Sequence, residues 1–251
     1  MTALILALVA GAVVGLALGG LGGGGGVLAV PALTYLIGLP PADAITASLI
    51  IVTLTSITAL TGHARDGNVV WRTGLLFAAA GVVPAMLAGA AAGHLPRLGL
   101  TIAFAAVAGL AALRMLRPAP APAAGEGEGE ARPARAGAVG AGLGAVTGLL
   151  GVGGGFLAVP ALARVLNLPM RRAIGTSLLV ITINSIAALG ARAGTGVHLD
   201  WAVIAPFTAA AILGARDGKR HAQRLSGNTL QRLFAYALLA VAALMLADAL
   251  T

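Results

Sequence analysis

The sequence predicts an all-α protein that crosses a membrane several times. Of its 251 residues, 59% are hydrophobic and 10% are charged, whereas about 25% of the residues in an average soluble domain are charged. No Asp, Glu, Lys or Arg occurs at residues 1–42, 44–64 or 73–96, and each run reaches the roughly 17–25 residues that a membrane-spanning helix needs. This pattern excludes a soluble enzyme, a disulfide-stabilised protein, a disordered protein and an outer-membrane β-barrel, whose strands alternate over about 10 residues.

Each half of the chain offers five apolar segments in order. They cover residues 4–21, 25–38, 44–62, 73–93 and 98–116, and then 137–150, 154–168, 173–191, 201–215 and 230–250. The second segment of each half is too short for a full span, follows a glycine run and ends at a Leu-Pro pair, where proline disfavours helix. We expect both to be broken or re-entrant helices inside the bundle, because non-helical backbone at membrane depth needs protein or water around it.

An internal repeat relates the two halves. A shift of 129 positions aligns residues 19–60 with residues 148–189, and 23 of these 42 positions are identical. Chance similarity between apolar segments would not align glycines, prolines and hydroxyl residues as this repeat does. Gly24, Gly25, Gly26, Pro31, Pro40, Ser48, Thr53 and Ser56 match Gly153, Gly154, Gly155, Pro160, Pro169, Ser177, Thr182 and Ser185. We interpret residues 1–116 and 137–251 as two transmembrane repeats.

A segment of low complexity joins the repeats. Residues 117–137 read RPAPAPAAGEGEGEARPARAG, and such alternation of Pro-Ala and Gly-Glu cannot bury an apolar core. We therefore expect residues 117–136 to form a flexible cytoplasmic linker.

The basic residues predict the orientation. The net charge of +8 fits cytoplasmic anchors better than nucleic-acid binding. If residues 137–163 make a return pair, 14 Lys and Arg residues lie inside, whereas only Arg97 and Arg192 lie outside. A single crossing gives seven inside and nine outside. The return pair predicts both termini outside and an odd number of crossings per half, so the halves are expected to be inverted-topology repeats, as in many transporters.

The glycine runs are the first candidate site. Gly20, Gly22 and Gly25 match a G-x-G-x-x-G pattern, but no soluble strand precedes it and no Gly-Lys-Ser/Thr ending follows. The glycines either permit close helix packing or expose N–H groups at helix ends to an anion. On the second interpretation, two helix ends converge on a small anion. The predicted binding glycines are Gly24, Gly25, Gly26, Gly153, Gly154 and Gly155.

Polar side chains of the third segment are the second candidate site. Ser48, Thr53, Ser177 and Asn184 either bond within the helices or contact substrate at mid-depth. Asn184 is the preferred contact, because an amide has four hydrogen-bonding valences to satisfy. The histidines lie at predicted loop edges, where we expect interface positions. No nucleophile–base pair, carboxylate dyad or Cys/His cluster is evident, so we predict no catalytic residue, cofactor or metal site.

The doubled motif resembles a known family. A glycine-rich stretch leads into LAVPAL, a nearby LP and then A-I-x-x-S-L followed by Thr and Ser, which is similar to the sulfite exporter TauE/SafE-type family of membrane anion permeases. Thr46-Ala47-Ser48 departs from the family's Ala-Thr-Ser order, whereas Gly175-Thr176-Ser177 is closer. The resemblance covers both halves and implies an inner-membrane carrier for sulfite, sulfonates or related small organic anions.

Three functions stay open at this level. The favoured one is a transporter (permease or exporter) that moves a small anion by alternating access between inverted repeats. A channel-like facilitator would use the same residues, and an integral membrane enzyme or structural subunit is disfavoured by the lack of paired carboxylates or histidines inside the bundle. The expected partners are the anion and the lipid bilayer, without nucleic acid. A coupling proton or cation and a homo-oligomer are left open.

Overall fold

The computed structural model describes residues 2–22, 24–92, 97–117, 133–150, 155–191 and 199–250. Over these ranges, helices joined by turns and short connections are the only regular structure, which confirms the all-α prediction. The α-helices are α1 (Thr2–Leu21), α2 (Gly24–Pro31), α3 (Pro41–Arg65), α4 (Trp71–Ala92), α5 (Arg97–Leu116), α6 (Pro133–Leu150), α7 (Gly155–Pro160), α8 (Met170–Ala191), α9 (Trp201–Arg224) and α10 (Gly227–Leu250). Most of the expected linker lies outside the described residues, and α6 already begins at Pro133.

Four of the described helices are long and apolar enough to cross a membrane. They are Leu4–Leu21, Asp43–Arg65, Trp71–Ala88 and Met170–Gly190. Large apolar side chains also point outward from the bundle, such as Leu87 at 70% exposure and Met86 at 64%. Exposed apolar surface of this kind suits lipid rather than water. The chain is a polytopic helical membrane protein, as the composition predicted.

Small residues let two helix pairs pack backbone against backbone. A Cβ added to Gly15 would lie 2.0 Å from the carbonyl oxygen of Ala211, and one added to Gly144 would lie 2.2 Å from that of Gly81. Small residues spaced four apart permit such approach between membrane helices. The first pair places Gly11, Gly15 and Gly19 of α1 against Phe207, Ala211 and Ala215 of α9, and the second places Gly140 and Gly144 of α6 against Phe77 and Gly81 of α4.

The order of these contacts gives the helix directions. Successive glycines of α1 meet successive residues of α9, so these two helices are parallel, and the same holds for α6 and α4. In contrast, α3 and α8 are antiparallel, because Ser56 contacts Thr182 whereas His63, further along α3, lies near Gly175, earlier in α8. These pairings follow the repeat, because α6 and α4 are the equivalents of α1 and α9, and α3 and α8 are equivalents of one another. Exchanging the two halves therefore leaves the set of paired helices unchanged.

The two short helices are interrupted in the same way. After Pro31 and Pro160, each continues as a π-helical turn, over Ala32–Leu36 and Ala161–Val165. Each then ends at a residue in the left-handed region, Gly38 with φ 81° or its equivalent Asn167 with φ 54°. The N–H group of the residue that follows bonds back to close each end, from Leu39 to the carbonyl oxygen of Leu33 at 3.1 Å and from Leu168 to that of Leu162 at 3.0 Å. The prediction of short, broken segments is confirmed.

The first of these short helices carries the chain back along the bundle. The imidazole of His63, near the end of α3, lies 3.2 Å from the carbonyl oxygen of Gly19, near the end of α1. Because α1 and α3 end together, α2 and the π-helical turn between them run in the opposite direction.

Most of the described basic residues gather where α3, α5 and α9 end and α8 and α10 begin. Arg164 bonds the carbonyl oxygens of Met115 and Arg117 there, at 2.8 and 2.6 Å. Arg171 bonds those of Gln223 and Leu225, at 2.7 and 3.3 Å. We call this the basic end. Its basic residues are Arg65, Arg72, Arg114, Arg117, Arg164, Arg171, Arg172, Arg216, Lys219, Arg220, Arg224 and Arg232.

Candidate functional site

Four buried hydroxyl residues lie where α3 crosses α8, and we call them the crossing layer: Thr53, Ser56, Thr182 and Ser185. The hydroxyl oxygens of Ser56 and Thr182 are 3.0 Å apart. Apolar core residues such as Ile51, Val52 and Ile181 pack around this level, and the buried Thr55 lies beside the layer on α3. The layer therefore places hydrogen-bonding groups from the two halves at one point of an apolar interior.

The structure separates two of the predicted site residues. Ser48 precedes Ser56 by eight residues and Ser177 precedes Thr182 by five, on antiparallel helices. At about 1.5 Å per residue, they lie roughly 12 and 8 Å along the helices from the Ser56–Thr182 hydrogen bond, in opposite directions. Ser177 instead lies near the basic end against Gly22, where an added Cβ would be 2.6 Å from the serine oxygen.

The predicted hydroxyl groups donate within their own helices in this structure. Ser48 bonds the carbonyl oxygen of Ile45 at 2.7 Å, Thr53 that of Leu49 at 2.6 Å and Ser177 that of Ile174 at 2.7 Å. This is the back-bonding alternative raised by the sequence, and it leaves the oxygens as acceptors. A bound anion would receive these hydrogens only after the hydroxyls rotate.

Asn184 differs from these hydroxyl residues. Its amide oxygen is buried, and no hydrogen-bond partner for it exists among the described residues. The residue lies two positions after Thr182 and so half a turn from the crossing layer. A buried amide oxygen without a donor is costly in an apolar interior, so this oxygen could accept a hydrogen from a water molecule or from a protonated group of a ligand.

The glycine-rich helix starts lie toward opposite ends of the bundle. Gly24, Gly25 and Gly26 form the first turn of α2, next to the end of α1, whereas Gly155 begins α7 beyond the far end of α6. Gly153 and Gly154 lie outside the described residues. α2 and α7 contact one another, but their starts are separated by this antiparallel arrangement.

A second polar cluster lies at the basic end. The ammonium of Lys219 is 2.7 Å from Asp66 Oδ2 and donates to the carbonyl oxygen of Gly62 at 2.6 Å. The side-chain amide of Gln223 donates to the same Oδ2 at 2.6 Å. The hydrogen bond from Lys219 is the main cause that lowers the pKa of Asp66 from its ordinary value. These bonds join α9 to the turn that follows α3.

A buried histidine faces this cluster. His63 is 5% exposed, and because a carbonyl oxygen only accepts, its contact with Gly19 requires that Nε2 carries the hydrogen. Its Nδ1 is then an acceptor, and it has no partner in the described part of the chain. His63 lies in the last turn of α3, and its imidazole packs against α1.

A small cavity adjoins these groups. Its volume is about 10 Å³, which is room for about one water molecule. We call this cavity, together with the ion pair beside it, the basic mouth. Its polar lining consists of His63, Asn68, Arg171, Lys219 and Gln223.

Sequence reasoning did not select the basic mouth. The available signal was that Lys219 is the single lysine among 16 Lys and Arg residues. Asp66 was the other signal, because it is an acid in a segment whose basic residues place it inside. Only the packing of α3 against α9 brings the two together.

Comparison with known proteins agrees with the membrane-spanning helices of this chain. The family profile described as "Sulfite exporter TauE/SafE" matches residues 7–245. A protein from Xylella fastidiosa (strain 9a5c) named "Probable membrane transporter protein" is 35% identical over 245 residues, which cover 95% of this chain and 93% of that protein. A protein of the same name from strain Temecula1 / ATCC 700964 is 34% identical, with the same coverage. No solved structure gives a significant match.

Proposed function

The chain belongs to the sulfite exporter TauE/SafE family of membrane transporters, and from this premise we propose that it carries a small anion by alternating access between two inverted halves. The proposed substrates are sulfur-containing oxyanions or sulfonates. The proposed location is the inner membrane, with the basic end and the linker in the cytoplasm and both termini outside, because basic residues favour the cytoplasmic side.

The observation that carries the proposal is the antiparallel pairing of equivalent helices. α3 and α8 are copies of one another in sequence, and they run in opposite directions through the centre of the bundle. Exchanging the halves preserves the pairings of α1 with α9 and of α4 with α6. Transporters built from inverted repeats bind substrate at the interface of the repeats and alternate by moving one half against the other.

The crossing layer and Asn184 are the proposed binding site. Both lie where the halves meet, and the neutral donors there avoid the cost of a charged side chain in the bilayer interior. Each neutral hydrogen bond contributes about 0.5–1.5 kcal/mol net, so a handful of them predicts affinity in the micromolar to millimolar range. Asn184 would donate two N–H groups, while Thr53 and Thr182 would turn their hydroxyls from the backbone to the anion.

Flux into proteoliposomes tests the proposal. Purified protein should take up radiolabelled sulfite or a sulfonate and should show counterflow when the same anion is loaded inside. Uptake without counterflow would favour the channel-like facilitator, and no uptake of any anion in a panel of sulfur oxyanions, sulfonates and carboxylates would contradict both. Asn184→Ala should lower uptake several-fold at equal protein content, whereas Arg132→Ala in the linker should leave it unchanged.

A further inference from the structure

We propose that the basic mouth is an entrance site for a small oxyanion, and that the carboxylate of Asp66 occupies this site in the present structure. The inference rests on the proposed function, because it assigns the place where the anion first binds at the basic end. It concerns residues that are distinct from the crossing layer and from the glycine runs.

The first support is that Asp66 is held as a ligand anion would be held. One of its oxygens, Oδ2, accepts from the Lys219 ammonium at 2.7 Å and from the Gln223 amide at 2.6 Å. A sulfite, sulfate or sulfonate oxygen offers the same charged acceptor to the same two donors. The donor pair is therefore selective for an oxyanion and not for a particular central atom.

The second support is that the Lys219 donor is better fixed than the carboxylate. The Lys219 side chain is 18% exposed and is also held by the carbonyl oxygen of Gly62, whereas the Asp66 side chain is 33% exposed. Asp66 lies in the turn after α3, beside Gly67 with φ 69°. Rotation of this partly exposed carboxylate into solvent would leave the ammonium in place, and the exposed amide of Gln223 could then donate to a new acceptor.

The third support is the neighbouring cavity. It has room for about one water, and Lys219 and Gln223, the two donors to Asp66, also line it. In the neutral imidazole, the unpartnered Nδ1 of His63 can accept a hydrogen from a bound water or from a hydrogen-oxyanion such as bisulfite. Arg171 lines the cavity as well, so two cations, Lys219 and Arg171, face the site.

Binding to the full-length protein in detergent tests the inference without requiring transport. We would titrate sodium sulfite and sodium sulfate calorimetrically, with dimethyl sulfone as an uncharged probe of similar shape. Asp66→Asn removes the competing charge and should lower the Kd for sulfite about two- to sixfold, because a site that a partly exposed ion pair occupies for part of the time binds with an affinity reduced to the free fraction. Lys219→Gln should raise the Kd at least tenfold.

Asp217→Asn is the matched control for the charge change. Asp217 lies two residues before Lys219, about half a turn away along α9, and pairs at 3.5 Å with Arg220, and the side chains of Asp217 and Arg220 are exposed. This variant has the same net charge as Asp66→Asn and should bind sulfite like the unaltered protein. Gln223→Leu removes the second donor, keeps the ion pair and should weaken binding several-fold, which supplies a test if Asp66→Asn does not fold.

The outcomes separate this inference from the proposed function. Equal Kd values for Asp66→Asn and Asp217→Asn, or weaker binding by Asp66→Asn, would overturn the entrance site. So would equal binding by Gln223→Leu and the unaltered protein, or binding of dimethyl sulfone as tight as that of sulfite. If proteoliposomes still transport sulfite in any of these cases, the proposed function stands and only the entrance site fails.

Discussion

Replacing Gly144 with alanine tests whether the backbone contact between α4 and α6 holds the two halves together. The new Cβ would lie 2.2 Å from the carbonyl oxygen of Gly81, 2.6 Å from its Cα and 2.8 Å from its carbonyl carbon. Real Cβ atoms essentially never come closer than 3.0 Å to such atoms, so the helices must separate by about 0.8 Å to reach that limit. All three obstructing atoms are backbone, and no side chain can rotate away.

We expect Gly144→Ala to destabilise the protein by about 1–3 kcal/mol, the usual cost of overpacking a close contact. Gly142→Ala is the control, because Gly142 lies on the same helix with nothing within 4 Å of its added Cβ. The control should be neutral or slightly stabilising, since alanine favours helix over glycine by up to about 1 kcal/mol. Unfolding in mixed micelles of mild detergent and SDS, followed by tryptophan fluorescence, gives the comparison. Equal midpoints for the two variants would refute the packing argument.

Three further predictions concern orientation, pH and the first glycine run. Alkaline phosphatase fused after Thr251 should be active and a fluorescent protein in residues 117–136 should be bright; the reverse pattern would overturn the orientation. Because Lys219 lowers the pKa of Asp66 below 3.8, the ion pair should contribute stability above that value and lose it as pH falls through the lower folded pKa. The melting difference between the unaltered protein and Asp66→Asn should then stay constant from about pH 5 to 8 and shrink in stronger acid. Gly25→Val should abolish sulfite uptake at normal folded yield if backbone N–H groups bind the anion, whereas a parallel loss of yield would indicate packing instead.

Local chemistry made much of the fold predictable. The Leu-Pro pairs forecast where the broken helices end, because proline restricts the preceding residue wherever it occurs. Long runs without charged residues predicted the membrane spans, because a charged side chain is costly in the bilayer interior. The doubled motif identified the family. These signals depend on neighbouring residues and not on the tertiary arrangement.

The arrangement of the site depended on tertiary register. Repeat matching placed Ser48 and Ser177 at equivalent positions, but the antiparallel crossing of α3 and α8 sends equivalent positions to opposite ends. Lys219 and Asp66 are 153 positions apart in sequence and meet only because α3 packs against α9. No local pattern encodes either relation, so the candidate residues could be chosen from the sequence but not assembled.

The ion pair at the basic end makes the duplicated protein unequal in its two halves. With the same shift of 129 positions, the residues that correspond to Lys219 and Asp66 in the other copy are Ala90 and Thr195, and neither carries a charge. If the two halves were identical, the state that is closed at the basic end and the state that is closed at the far end would have the same free energy. In the alternating-access cycle that we propose, a partly exposed pair that contributes about 0.2–1 kcal/mol would shift the resting population about 1.4- to 5-fold toward closure of the basic end. In the absence of substrate, the proposed transporter would therefore favour the state that is closed at the basic end and can open at the far end. This preference would depend on Lys219.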